Sequence, residues 1–437
     1  MRLTRTVFAC TVATLLVGGQ VWAQTGGNPA GQDYSGTNYD YSDYYADYYD
    51  EDGGADADAA PSAAEEADTG YTGGYDSCGS CGSCDSCSSC CEDPAPWSLI
   101  SCGWLDDHGI SIGGWLDQGF TWNPDSPADR FNGPVTFNDR ANEYQMNQMW
   151  LYMGRETDTG GYGMDIGGRV DMVYGTDYRF TTARGLETHQ DFSAKWNQSN
   201  RFYGLAMPQL YAEFAVNDLS VIVGHFFTII GNEVVAAPDN FFYSHAYTMQ
   251  YGEPFTHTGA LARYSLGDTV TISAGVDRGW DNWEDNNDNV SFLGGVSWDS
   301  GEGTSLAFAM TSGNEGDNNN ENRTMYSVVA AQAFGPVTYL FQHDLGVNNI
   351  EDGGDDQEWY GINQYLLMDV NDQWAVGGRF EWFRDDDGAR VLSPFDGGTD
   401  GFAGNFFEMT AGINYRPHSN VIVRSECRWD WYDGVDP

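Results

Sequence analysis

Polar and apolar residues alternate with a period of two along most of the chain beyond residue 109. The clearest run is Met164–Tyr174. Met164, Ile166, Gly168, Val170, Met172 and Tyr174 fall on one side, and Asp165, Gly167, Arg169, Asp171 and Val173 on the other. Successive side chains of a strand point to opposite faces, so this pattern predicts a strand with one greasy face and one charged face. The same reading predicts strands at Ile110–Trp122, Tyr144–Glu156, Leu210–Val216, Leu219–Phe227, Ala260–Leu266, Val270–Val276, Val290–Trp298 and Ser305–Met310. It continues through Thr324–Ala333, Val337–Leu345, Glu358–Val370, Trp374–Arg384, Phe406–Tyr415 and Val421–Trp431, about fifteen strands in all.

The connections alternate too. Asn217-Asp218, Gly267-Asp268, Gly335-Pro336 and Asn371-Asp372 are short turns of hairpin type. Between them come longer acidic stretches: 281–289, 313–322, 348–356 and 385–400. In a soluble sandwich the greasy faces would pack inward; in a membrane barrel they face lipid and the charged faces line a lumen. Short turns on one side and long polar loops on the other favour the barrel. Aromatic residues near strand ends (Trp280, Trp283, Trp298, Trp359, Tyr360, Trp374, Trp382, Trp429 and Trp431) would then form interfacial girdles. A barrel of this kind has an even strand number, which predicts about sixteen strands. The final Asp433-Gly434-Val435-Asp436-Pro437 reads as a turn rather than as a closing strand.

The segments before residue 94 have another texture. Arg2 and Arg5, the apolar run Val7–Val17 and Val21-Trp22-Ala23 read as an export signal over residues 1–23, cleaved after Ala23. The run is shorter than the ~20 residues of a spanning helix. Residues 24–93 are rich in Asp, Tyr and Ala and cannot bury enough apolar surface to offset chain entropy, so a disordered acidic tail is expected. Its end carries Cys78, Cys81, Cys84, Cys87, Cys90 and Cys91. Metal sites need ordered spacers between Cys pairs, so disulfides or cross-links in an oxidising envelope are the expectation, and no metal site is assigned. Cys102 and Cys427 lie near the two ends of residues 94–437 and could pair if those ends adjoin.

Composition changes the picture in three ways. A net charge of −46 makes a nucleic-acid partner improbable. Fifty-five glycines and 15% aromatics suit an all-β chain with many turns. No His-Glu-x-x-His, Gly-x-Ser-x-Gly or phosphate-binding loop occurs, so neither enzymatic activity nor a cofactor is expected.

Alternation fails for one long stretch, Thr228 to about Thr256. Loops of that length without strands are usually functional. Folded into the lumen, this one would narrow the pore, with Glu233, Asp239, Asn240 and Glu253 as constriction candidates. Asp165, Arg169, Asp171, Glu213 and Arg263 lie on polar strand faces and are lumen candidates.

Several stretches also resemble a known family: Val223-Gly224-His225-Phe226, Gly231-Asn232-Glu233, Pro238-Asp239-Asn240-Phe241-Phe242-Tyr243-Ser244 and Tyr251-Gly252-Glu253-Pro254-Phe255-Thr256-His257-Thr258-Gly259. Gly114-Trp115-Leu116-Asp117-Gln118-Gly119-Phe120 and Trp429-Asp430-Trp431 fit as well. From Gly109 onward the chain resembles the OmpL-like β-barrel porins of the porin-2 type. The resemblance implies an outer-membrane barrel with a porin role and brings no catalytic residues.

The reading is therefore an all-β, antiparallel transmembrane barrel over residues 94–437, in the outer membrane, passing small hydrophilic solutes and ions by passive diffusion. Outer-membrane lipid, such solutes and cations are the expected partners, and a homo-oligomer is compatible with it. The alternative is a non-conducting, surface-attached β protein for adhesion or glycan binding.

Overall fold

A computed structural model describes residues 6–19, 102–128, 130–197, 202–316, 321–350, 354–391 and 402–435. The expected disordered tail at 24–93, including Cys78, Cys81, Cys84, Cys87, Cys90 and Cys91, lies outside the described residues.

The strands are β1 (Thr6–Gly19), β2 (Ile110–Trp122), β3 (Glu143–Arg155), β4 (Met164–Gly175), β5 (Gly204–Val216), β6 (Leu219–Phe227), β7 (Thr256–Leu266) and β8 (Val270–Asp277). Then follow β9 (Ser291–Asp299), β10 (Thr304–Asn314), β11 (Glu321–Phe334), β12 (Val337–Ile350), β13 (Gln357–Asn371), β14 (Trp374–Asp385), β15 (Ala403–His418) and β16 (Val421–Val435). One short helix, α1 (Gly103–Asp106), precedes β2. Each strand pairs with its sequence neighbours and β1 meets β16, which closes an antiparallel barrel. Every expected strand is present, most of them longer than the alternation alone marks. The closing position is taken by Thr6–Gly19, the apolar run expected as the core of the leader. The expectation that Asp433–Pro437 is a turn is corrected. β16 continues through Val435, where it pairs with Ala403, because Gly434 lets β15 and β16 approach closely.

The loop asymmetry holds for most connections from β2 onward. Residues 156–163, 217–218, 267–269, 300–303, 335–336, 372–373 and 419–420 join strands at one end of the barrel. At the other end lie the longer connections 123–142, 176–203, 228–255, 278–290 and 386–402, with the shorter 315–320 and 351–356. The tightest turns use residues that tolerate a left-handed backbone: Asn217 at φ +53° and Gly335 at φ +61°.

The greasy faces point outward. Leu151, Ile166 and Leu366 are 56%, 60% and 56% exposed, with no second sheet over them among the described residues. This removes the sandwich packing. Rings ring both ends: Trp298, Trp374 stacked on Tyr415, and Phe334 near the short turns, and Trp122, Tyr144, Trp429 and Trp431 near the long loops. Two of the expected girdle residues are not in it. Trp280 and Trp359 are buried inside, edge to face at 6.0 Å, and the Trp359 indole donates to the Gly252 carbonyl at 3.0 Å. An aromatic at a strand end in the sequence can face either way, and Trp359 shares the inward parity of Asn363 and Tyr365. Gly346 is required beside it, since a Cβ there would sit 2.1 Å from the indole. Cys102 and Cys427 are both exposed and are not joined to each other, so the pairing that adjoining ends would have allowed does not form. Cys427 alternates with the inward Glu426 and Arg428 and therefore faces outward.

Candidate constriction of the lumen

The irregular segment between β6 and β7, residues 228–255, folds into the barrel. Ile229, Ile230, Val235, Phe242, Tyr243, Tyr247 and Met249 are all buried. The loop has no strand ladder of its own, so its backbone groups must find partners elsewhere. They find them on the inner wall. Glu426 accepts from the Tyr243 and Ser244 amides at 2.9 and 3.1 Å. Glu381 accepts from the Tyr247 and Thr248 amides at 2.5 and 2.6 Å and from the Thr248 hydroxyl at 2.6 Å. Gln148 on β3 donates to the Val235 carbonyl at 2.6 Å and accepts from the Ala237 amide at 3.1 Å. Asn414 on β15 donates to the Phe241 carbonyl at 3.0 Å. One turn, Thr248–Gly252, is π-helical.

Arg379 on β14 is the hub. Its guanidinium donates to Glu233 Oε1 at 2.5 Å, to Glu408 Oε1 at 2.5 Å and to the Ser244 carbonyl at 2.7 Å, with the Phe242 ring over it at 5.0 Å. Beside it Arg428 pairs with Asp430 at 2.8 Å and donates to the His245 carbonyl. Burial would push the Glu233 carboxyl up, but Arg379, then His245 and the Ala246 amide, hold it well below the usual carboxylate range. Tyr365 also donates to it, at 2.9 Å. Removing one member of such a group strands the others in a low-dielectric interior.

The constriction candidates thus separate by role. Glu233 ties the loop to β14. Asn240 staples the loop to itself, donating to the Val234 and Ala236 carbonyls at 2.7 and 3.0 Å. Glu253 is buried and accepts from Gln342 on β12. Gly231, at φ +89°, makes room for that carboxylate, which a Cβ would meet at 2.0 Å. Asp239 is the exposed member.

All five lumen candidates are on inward-facing positions of β4, β5 and β7. Arg169 donates to Asp171 at 2.7 Å and lies over the Tyr152 ring at 4.4 Å. Asp171 also accepts from the Trp150 indole at 2.8 Å. The register sets Arg169 opposite Tyr211. Glu213 is buried on β5 and Arg263 half-buried on β7, with β6 between them. Asp165 lies apart near the short-turn end, paired with Arg155 at 3.0 Å.

Sequence reasoning missed two parts of this site. The first is the ladder Arg379, Glu381, Glu408, Glu426, Arg428 and Asp430 on β14–β16. Its signal was present: Arg424, Glu426, Arg428 and Asp430 occupy every second position of one strand, a spacing that puts four charges on one face. The second is residues 123–142, which also turn inward. Phe137 is buried against His245 and Phe180, at 4.4 and 4.7 Å between rings, and the Thr136 amide donates to Gln250 at 2.5 Å.

Among solved structures the chain is similar to outer-membrane expressed OmpT of Vibrio cholerae (10% identity, TM-score 0.43, 68% of this chain and 92% of that one). It is similar as well to Salmonella typhi OmpF in complex with daunomycin (10%, 0.42, 68% and 94%) and to OccK9 (OpdG) of Pseudomonas aeruginosa (10%, 0.37, 75% and 97%). No curated protein matches it. The model of one protein family, described as "Putative beta-barrel porin-2, OmpL-like", matches residues 109–436, the whole of β2–β16. The chain belongs to this family of OmpL-like β-barrel porins.

Proposed function

We propose that the protein lets small hydrophilic solutes and ions diffuse passively across the outer membrane, through a lumen whose bore is set by the loop 228–255. The observation that carries this is the loop itself, held inside the barrel by charged groups of β14–β16. A fixed loop with charged neighbours sets both size and charge selectivity in a water-filled barrel. Export by the N-terminal leader belongs to the same reading; a cut after Ala23 would take Thr6–Gly19 out of the barrel and leave β2 and β16 to be closed by another segment.

The acid excess argues for cations. Asp165, Glu213 and Asp239 line the interior, and Asp285, Asp288, Asp355 and Asp356 stand on connections at the end of the barrel that carries the long loops. Reconstituted in a planar bilayer under a salt gradient, the protein is expected to show a reversal potential of cationic sign. An anionic sign would remove the cation preference; absence of any conductance would remove the transport reading.

Glu253 adds a pH dependence. Burial, then the neighbouring Asp344 carboxylate, raises its carboxyl well above the glutamate value of 4.5. Its folded value exceeds its unfolded one. The loop's stabilisation by this group is therefore complete below about pH 4.5 and is lost as pH rises through the folded value. Single-channel conductance is expected to rise, or become noisier, as pH is raised from the ordinary glutamate range through the elevated folded value. Glu253→Gln should flatten that response. An equal response in both proteins would show that Glu253 is not its source.

A further inference from the structure

The middle of the barrel's outer face is apolar on strand after strand, as at Leu151, Phe214, Phe308, Phe380 and Met409. Two adjoining strands break the rule at one height. His343 lies midway along β12 and Gln364 midway along β13. Both face outward, since their neighbours Gln342, Asp344, Asn363 and Tyr365 are the buried, inward residues. The register sets His343 opposite Ile362 and Gln364 opposite Phe341, so the two polar groups are diagonal neighbours. The imidazole stacks on Tyr326 at 5.8 Å, and Tyr326 on Phe308 at 6.1 Å. Tyr339 donates to Gln364 Oε1 at 3.0 Å. Among the described residues nothing hydrogen-bonds either nitrogen of His343 or accepts the amide N–H groups of Gln364.

Acyl chains cannot satisfy these groups, and an unmet donor in hydrocarbon is costly. The penalty for polarity on the lipid face is greatest at the midplane. Headgroups are about half of a ~30 Å hydrocarbon core away. The missing partners must therefore come from another protein surface with polar groups at the same depth. A second copy meets this condition, because identical aromatic ends set it at an identical height. Imidazole and carboxamide each both donate and accept, so one such face can pair with its own copy about a two-fold axis. We infer that the outer face of β11–β13 is a self-association surface, on which His343 and Gln364 of one copy hydrogen-bond those of a second. This rests on the barrel's place in the membrane and not on conduction.

The test uses the full chain in lipid nanodiscs, with a photo-crosslinking amino acid at Leu366 beside the patch or at Phe214 on β5. A covalent adduct of twice the chain mass is expected from position 366 and not from 214. The double variant His343→Leu, Gln364→Leu should lose the adduct while keeping heat-modifiable gel migration, the sign of an intact barrel. No adduct at 366, an adduct to a different protein, equal adducts at 366 and 214, or an undiminished adduct in a folded double variant would each overturn the inference. Should the double variant fail to fold, the comparison of 366 with 214 in the otherwise native chain decides the matter. A non-conducting but dimeric protein would sink the transport reading and leave this one standing.

Discussion

Replacing residues 229–254 by a short glycine-serine connection is expected to raise single-channel conductance several-fold and to let larger neutral solutes through. The loop lies inside the wall and contributes Phe242, Tyr243, Tyr247 and Met249 to the interior. Taking it out exchanges those side chains for water. The wall should survive, because its closure depends on strand-to-strand backbone pairing and not on the loop. Arg379, Glu408, Arg428 and Asp430 would then be solvated and free to pair among themselves, as three of these contacts already do. The measurement is a bilayer recording, paired with liposome swelling by sugars of graded size. An unchanged conductance would mean that solutes take no route past the loop, and the constriction assignment would fall.

Arg379→Met is expected to act at the same place without shortening the chain. Methionine fills much of the same volume and leaves the charge behind. Glu233 and Glu408 would lose the cation they share, and the Ser244 carbonyl its donor. Breaking a buried pair by removing one partner costs about 3–5 kcal/mol. The expected result is a lower temperature for loss of the compact gel band, with a noisy conductance whose mean is raised as the loop detaches. Arg379→Lys should recover only part of this, since an ammonium cannot hold two carboxylates and a carbonyl in the fork that a guanidinium offers. A quiet channel of native conductance and native heat stability in Arg379→Met would show that the loop is held by packing alone.

Much of the barrel was legible because its two faces meet different solvents. Lipid outside and polar groups inside force the period-two pattern at Met164–Tyr174 and its counterparts. The same pattern pointed to Asp165, Arg169, Asp171, Glu213 and Arg263, which occupy inward-facing strand positions. The loop 228–255 was visible as a failure of that pattern. What the loop does with its charges was not visible. Glu233 and Asp239 look alike in the sequence, yet one is buried against Arg379, far along the chain, while the other is exposed. Trp280 and Trp359 misled for the same reason: position at a strand end says nothing of which face a residue occupies.

Alternation, turn chemistry and loop length by themselves determined the all-β class, the antiparallel order, the outward greasy face and the place of the irregular loop, since each is written in residues close together in the chain. Tertiary structure alone decided what that loop binds, which acids are paired, which aromatics line the interior and which segment closes the ring. Those outcomes depend on contacts between residues more than a hundred positions apart, such as Glu233 with Arg379 and Tyr243 with Glu426. No local pattern encodes them, because the energy of a buried charge is set by whatever the fold brings beside it.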